Sequence, residues 1–124
     1  MTPLIFLALC MAGGVGAALR FLVDGLVKTR TNGSYPWGTT LINISGSFLL
    51  GLVTGLALSA VLPENLRLIV GTGFLGGYTT FSTASFETIR LTQERRTVAA
   101  AANGLGMLAA SVTASAIGWA VGTW

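Results

Sequence analysis

Residues 71–87 read GTGFLGGYTTFSTASFE, and the fold turns on how this stretch is understood. Gly71, Gly73, Gly76 and Gly77 come first, followed by Thr79, Thr80, Ser82, Thr83 and Ser85, with Phe81 among them. A continuous membrane helix gains little from so many glycines and hydroxyls. A broken one gains much, because unwound backbone at membrane depth is tolerated only where it is buried in protein or lines a wet cavity. Carbonyls freed by a break can bind a cation, and freed N–H groups and hydroxyls can bind an anion. The stretch therefore predicts a helix interrupted near its middle, in a small ion-conducting membrane protein.

The surrounding composition fits that environment. Of the 124 residues, 52% are hydrophobic and only 9% charged, with a mean hydropathy of +0.76. A soluble domain carries roughly a quarter charged residues, so this chain cannot cover a water-facing surface and its solvent is mostly lipid. A spanning helix needs about 20 apolar residues. The length thus predicts an all-α membrane protein with four transmembrane helices and short loops, over residues 3–27, 37–62, 66–91 and 98–124. There is no room for a separate soluble domain. The apolar N-terminus has no basic residue before it and runs on past a small-residue stretch, so it reads as a retained first span rather than a signal peptide.

Several chemistries are excluded. The chain has no histidine and one cysteine, Cys10, which argues against zinc, haem and iron–sulfur sites. It also removes any Ser-His or Cys-His nucleophile, so no enzyme activity is expected. The net charge of +3 would suggest nucleic acid in a soluble protein. Here the basic residues fall near span ends, where they snorkel or set orientation, and no nucleic-acid partner is expected.

The connector from Lys28 to Pro36, with Lys28, Arg30, Asn32-Gly33 and Tyr35-Pro36, reads as exposed turn chemistry. Trp37 then opens the second span at interface depth. Within that span Ser47, Gly51, Gly55 and Ser59 recur every four positions. The fourth span repeats the pattern at Gly106, Ala110, Ala114, Gly118 and Gly122. Such ridges let helices approach closely. Pro63 and Glu64 make a short turn, and Thr92 to Arg96 a polar connector. Lys28, Arg30, Arg95 and Arg96 fall on one side of the membrane and only Arg67 near the other, which favours termini outside.

Few residues inside the spans can carry chemistry. Asn43 is costly in lipid unless bonded. It serves either as interhelical glue or as a pore-lining donor whose NH2 faces an anion. Thr39, one turn earlier on the same face, could extend a polar track. Phe81 is either packing or a ring whose positive edge touches an anion. Arg20 is a functional candidate by its position, against which stand pairing with Asp24 at i+4 and snorkelling. Glu87 and Arg90 read as vestibule or interface charges. Ser111 reads first as a hydroxyl bonded back to its own helix, with a pore role as the alternative.

These residues sit in three blocks: GGVGAALR at 13–20, WGTTLINISGSFLLG at 37–51 and GFLGGYTTFST at 73–83. With them the chain resembles, over essentially its whole length, the Fluc fluoride channels, also called the CrcB family. The resemblance implies a dual-topology dimer of two oppositely inserted subunits in the plasma membrane, with two fluoride pathways along their interface. It implies a structural Na+ on the dimer axis, held by the carbonyls of Gly76 and Thr79. It also implies that Asn43 and the Phe81 ring line the fluoride path, with hydroxyls from Ser82 and Thr83. Thr39 and Ser111 would extend the polar track, and Arg20 would sit in an aqueous vestibule. One position departs from the pattern: many members carry a second phenylalanine where this chain has Ala84. Either one ring per pathway suffices or a partner supplies the other. The uneven loop charges raise the same choice between a homodimer and a heterodimer with a paralogue.

Fluoride is small and strongly hydrated, so a pore must replace its water with donors yet let it leave. Amides and hydroxyls do so without a full opposing charge. The alternative is a small multidrug-type proton-coupled exporter, which needs a membrane carboxylate. Asp24, Glu64, Glu87 and Glu94 all fall near expected span ends, which disfavours it.

Overall fold

The structure, a computed structural model, describes all of residues 1–124. All of its regular elements are helices. We number five helices. Helix α1 is Pro3–Arg30 and α2 is Trp37–Leu58. Helix α3 covers residues 64–78 as one rod made of Glu64–Arg67, a wide π-type stretch Leu68–Leu75, and Gly76–Tyr78. Helix α4 is Ser82–Gln93. Helix α5, Thr97–Thr123, carries its own π stretch at Ala102–Gly106. Three of these, α1, α2 and α5, are long and apolar enough to cross a membrane.

Helix ends depart from the sequence expectation in two places. Helix α1 runs on to Arg30, so Lys28 and Arg30 lie in its last turn and not in the connector. Cations there complement the negative helix terminus, and Lys28 Nζ pairs with Asp24 Oδ2 one turn back at 2.9 Å. Asp24 is therefore engaged by Lys28 and not by Arg20. Helix α2, by contrast, stops at Leu58 instead of reaching Leu62. The N–H and the hydroxyl of Ser59 both turn back to the Gly55 carbonyl, at 3.0 Å each, and Ala60 has a φ of 60°. Pro63 also disfavours helical geometry in the residue before it.

Packing is by backbone approach. A methyl added at Gly51 would overlap the Ser115 carbonyl, and one at Gly118 the Phe48 carbonyl. Gly55 and Gly122 meet each other in the same way, and Ser59 Oγ donates to Gly122 O at 3.0 Å. The two small ridges thus face each other, and because partner numbers rise together α2 and α5 run parallel. Only the C-terminal part of the α5 ridge is engaged; Gly106 stands exposed. Helices α1 and α3 form a second parallel seam, where Gly16 lies under Phe74 O and Gly77 under Gly13 O.

Between the seams sits a small core of Ile42, Leu75 and Tyr78. Only 20 of 124 residues are buried, so most large apolar side chains, such as Leu4, Phe6, Leu7 and Met11, face outward. That distribution suits lipid and would be untenable in water.

Candidate functional site

The site is built where the rod of α3 ends and α4 begins. Tyr78 is the last helical residue of α3. Thr79 swings to an extended ψ of 161°, and helical bonding resumes at Ser82. In an unbroken helix the Thr80 N–H would close on the Gly76 carbonyl. It bonds Asn43 Oδ1 instead, at 2.9 Å. Asn43 Nδ2 returns a bond to Thr80 O at 2.8 Å. A side-chain amide from α2 thereby pairs with both the N–H and the C=O of one residue of the turn. Two consequences follow. The buried polar groups of Thr80 are satisfied, as they must be. The carbonyls of Gly76 and Thr79 are left without any backbone N–H.

Hydroxyls complete the turn. Thr79 Oγ1 donates to Leu75 O at 2.9 Å. Thr80 Oγ1 accepts from Thr83 N at 3.2 Å, capping the first turn of α4, and donates to Thr83 Oγ1 at 3.1 Å. Gly46 lets this turn settle on α2, since a methyl there would overlap Thr79 Cγ2.

Two grooves flank the turn, and Thr80 lines both. The first, about 330 Å³, holds Arg20, Asp24, Thr39, Ile42 and Thr83. It is the polar one, lined by a guanidinium, a carboxylate and three threonines, Thr80 among them. The second, about 550 Å³, holds Asn43, Phe81, Met107 and Ser111, with Ala84 and Asn103 in its wall. The structure thus gathers Arg20, Thr39 and Thr83 on one side of Thr80, and Asn43, Phe81 and Ser111 on the other. Ser82 lines neither groove and is exposed; it reaches Thr80 Oγ1 only at 3.5 Å. Phe81 is 87% exposed, and Gly76 is also open on the outer face of the rod.

Two readings of individual residues are corrected. Ser111 does not bond back to its helix; its Oγ is buried without a partner. It stands one turn before Ser115, where the α2–α5 seam opens into the groove. Glu87, expected as an exposed vestibule or interface charge, is instead buried beside Thr39 within the single chain, and one carboxylate oxygen is unpartnered. Beyond the turn α4 runs on toward the start of α2, which brings Glu87 beside Thr39 and near Asp24 and Lys28.

Two groove residues were missed in the sequence. Asn103, 1% exposed, donates to Thr88 Oγ1 at 2.9 Å and to Ala84 O at 3.3 Å, while its Oδ1 has no partner. A lone amide after Ala99–Ala102 was signal enough to flag it, by the argument that singled out Asn43. Met107 accepts a hydrogen bond from Asn43 Nδ2 at 3.2 Å. Nothing in its neighbourhood along the chain announces that.

Comparison with known proteins agrees with the resemblance. Residues 7–119 match the model of the family described as CrcB-like protein, camphor resistance. The chain is 53% identical over 118 residues to a protein of Leifsonia xyli named fluoride-specific ion channel FluC 1, covering 95% of this chain and 86% of the relative. It is 42% identical over 118 residues to fluoride-specific ion channel FluC 2 of Mycobacterium tuberculosis, covering 95% and 90%. With FluC 2 of Cutibacterium acnes it shares 45% over 115 residues, covering 92% and 94%. The spans and these relatives together make it a multi-pass membrane protein.

Proposed function

Because this chain belongs to the CrcB-like family, we propose that it forms a fluoride-selective channel, which lets cytoplasmic fluoride leave the cell passively across the plasma membrane. The observation that carries the reading is the turn at Thr79–Phe81, flanked by two donor-lined grooves that meet at Thr80. Relatives over nearly the whole chain are named fluoride-specific channels, and none supports the exporter alternative.

The working unit is an antiparallel dimer, either of two copies or with a paralogue. The exposed Phe81 ring and the open Gly76 suit a face that a second subunit covers. Fluoride enters past Arg20, which gathers anions at the mouth without a buried trap. It then passes Thr39 and Thr83, and on the other side of Thr80 the amide of Asn43, the edge of Phe81 and the free hydroxyl of Ser111. Ser82, at the outer face, contributes from the interface side. Each donor replaces part of the ion's hydration while adding no full positive charge, so the ion can leave again.

The donor set also fits a structural Na+. The carbonyls of Gly76 and Thr79 are neutral oxygens left without N–H partners, which is what an alkali cation takes from unwound helix. When bound it would raise the local potential for an anion. The test is fluoride efflux from proteoliposomes, followed with a fluoride electrode. Fluoride should leave and chloride should not replace it, and Asn43→Asp should slow the flux sharply. Vesicles that hold their fluoride would overturn the reading.

A further inference from the structure

Asn43 has two amide hydrogens, and the structure accounts for both. Its orientation is fixed, because Oδ1 accepts from Thr80 N at 2.9 Å while Nδ2 donates to Thr80 O at 2.8 Å. A flipped amide would set donor against donor and acceptor against acceptor. One N–H is therefore committed to the turn. The other points into the larger groove and ends on Met107 Sδ at 3.2 Å.

A thioether is a weak acceptor. It is also carried on a side chain with three rotatable bonds, the most adaptable of the apolar residues. Met107 is buried, at 6% exposure, and lines the groove one turn from Ser111, whose hydroxyl has no partner. A weak, movable acceptor thus holds the one pore-facing donor of Asn43, and a free hydroxyl waits beside it.

We propose that the Met107 sulfur is a stand-in for the anion, holding the outward N–H of Asn43 between ions and yielding it when fluoride arrives. This rests on the fluoride-channel reading above and adds to it a residue that sets affinity. Fluoride is much the stronger acceptor, so it displaces the sulfur, and the thioether swings aside with little rotameric cost. Once it has moved, the Asn43 N–H and the Ser111 O–H are both available in the same groove. When the ion leaves, the sulfur returns and the amide is never left bare. The device limits how tightly the site holds its ion, as fast exit requires.

The sign of the effect separates this role from packing. Met107→Leu keeps volume and apolarity, the kind of core exchange best tolerated, but has no acceptor. It should lower the half-saturating fluoride concentration in proteoliposome flux by about three- to tenfold, the scale of one modest hydrogen bond. Met107→Gln offers a strong carbonyl acceptor that competes with the ion. It should raise half-saturation by a similar factor. Met107→Ile also lacks an acceptor, must move with Leu, and replaces it should Leu not fold. Shifts in opposite directions for Leu and Gln establish the role. A conducting wild type whose Leu, Ile and Gln variants share its half-saturation, or all shift one way, would overturn the Met107 role alone. A wild type that does not conduct fluoride would overturn both it and the channel reading.

Discussion

A carboxamide that pairs with both backbone groups of one residue cannot give both its protons to an ion, and Asn43 lives under that constraint. It seals the turn with one hydrogen and serves the groove with the other. The sequence left glue and pore donor as rivals, whereas the geometry allows one side chain to serve in both capacities. Asn43→Leu should therefore damage structure as well as flux. It strands the Thr80 N–H and C=O in an apolar site, at a cost on the order of 2 kcal/mol, readable as a lower melting temperature in detergent. Asn43→Asp keeps the acceptor for Thr80 N–H but sets its second oxygen against Thr80 C=O, so it too should lower the melting temperature, while its negative charge slows flux further. Asn43 was legible because an amide inside an apolar run is conspicuous. Met107 was not, because a methionine in a membrane helix looks like filling until its neighbour is known. The burial of Glu87 was hidden for a similar reason: its distance from the span end is plain in the sequence, but its place beside Thr39 at the start of α2 is not.

Among the helices, glycine spacing announced two ridges suited to close approach, since both repeat every four residues, but that they face each other is seen only in the structure. It could not say how far the ridges engage, and Gly106 lies outside the contact. The structure sorts the glycines by what surrounds them. Gly51→Val or Gly118→Val would drive a side chain into a facing carbonyl. Either should abolish recovery of folded protein. Gly14 has nothing within 4 Å, so Gly14→Ala should be neutral or raise stability by up to about 1 kcal/mol through helix propensity. Thermal melts of the variants in one detergent check the contrast. The entrance to α3 gives a pH dependence. Exposed Glu64, outside the apolar span, is held below its ordinary carboxylate range by its hydrogen bond to Arg67, with the Arg67 charge adding to the effect. A lowered folded value contributes stability above the unfolded pKa, and that stability is lost as pH falls through the folded one. A slight fall in melting temperature on acidification below about pH 4.5 should be seen in the wild type and be smaller in Glu64→Gln. Both groups are solvent-exposed, so screening keeps the effect small.

For the whole molecule, the expectation of an all-α membrane protein followed from composition, which a sparse charge count decides without any contact being known. The grooves could not be read that way, because they form between residues far apart in the chain, such as Arg20 with Thr83 and Asn43 with Ser111. The assembly proposed for these grooves makes a further prediction. Protein purified and reconstituted with Na+ replaced by a bulky organic cation should lose fluoride flux, and readmitted Na+ should restore it. Flux that is indifferent to Na+ would remove the ion from the scheme.

The bare carbonyls of Gly76 and Thr79 bear on the life of a newly made chain. An unmatched peptide oxygen facing hydrocarbon costs several kcal/mol, and a solitary copy in the bilayer would carry both, next to an uncovered Phe81. If the proposed dimer is the working unit, such a copy should be cleared faster by membrane proteases than a paired one. On that reading the abundance of this protein should track how fast copies find partners rather than how fast they are translated.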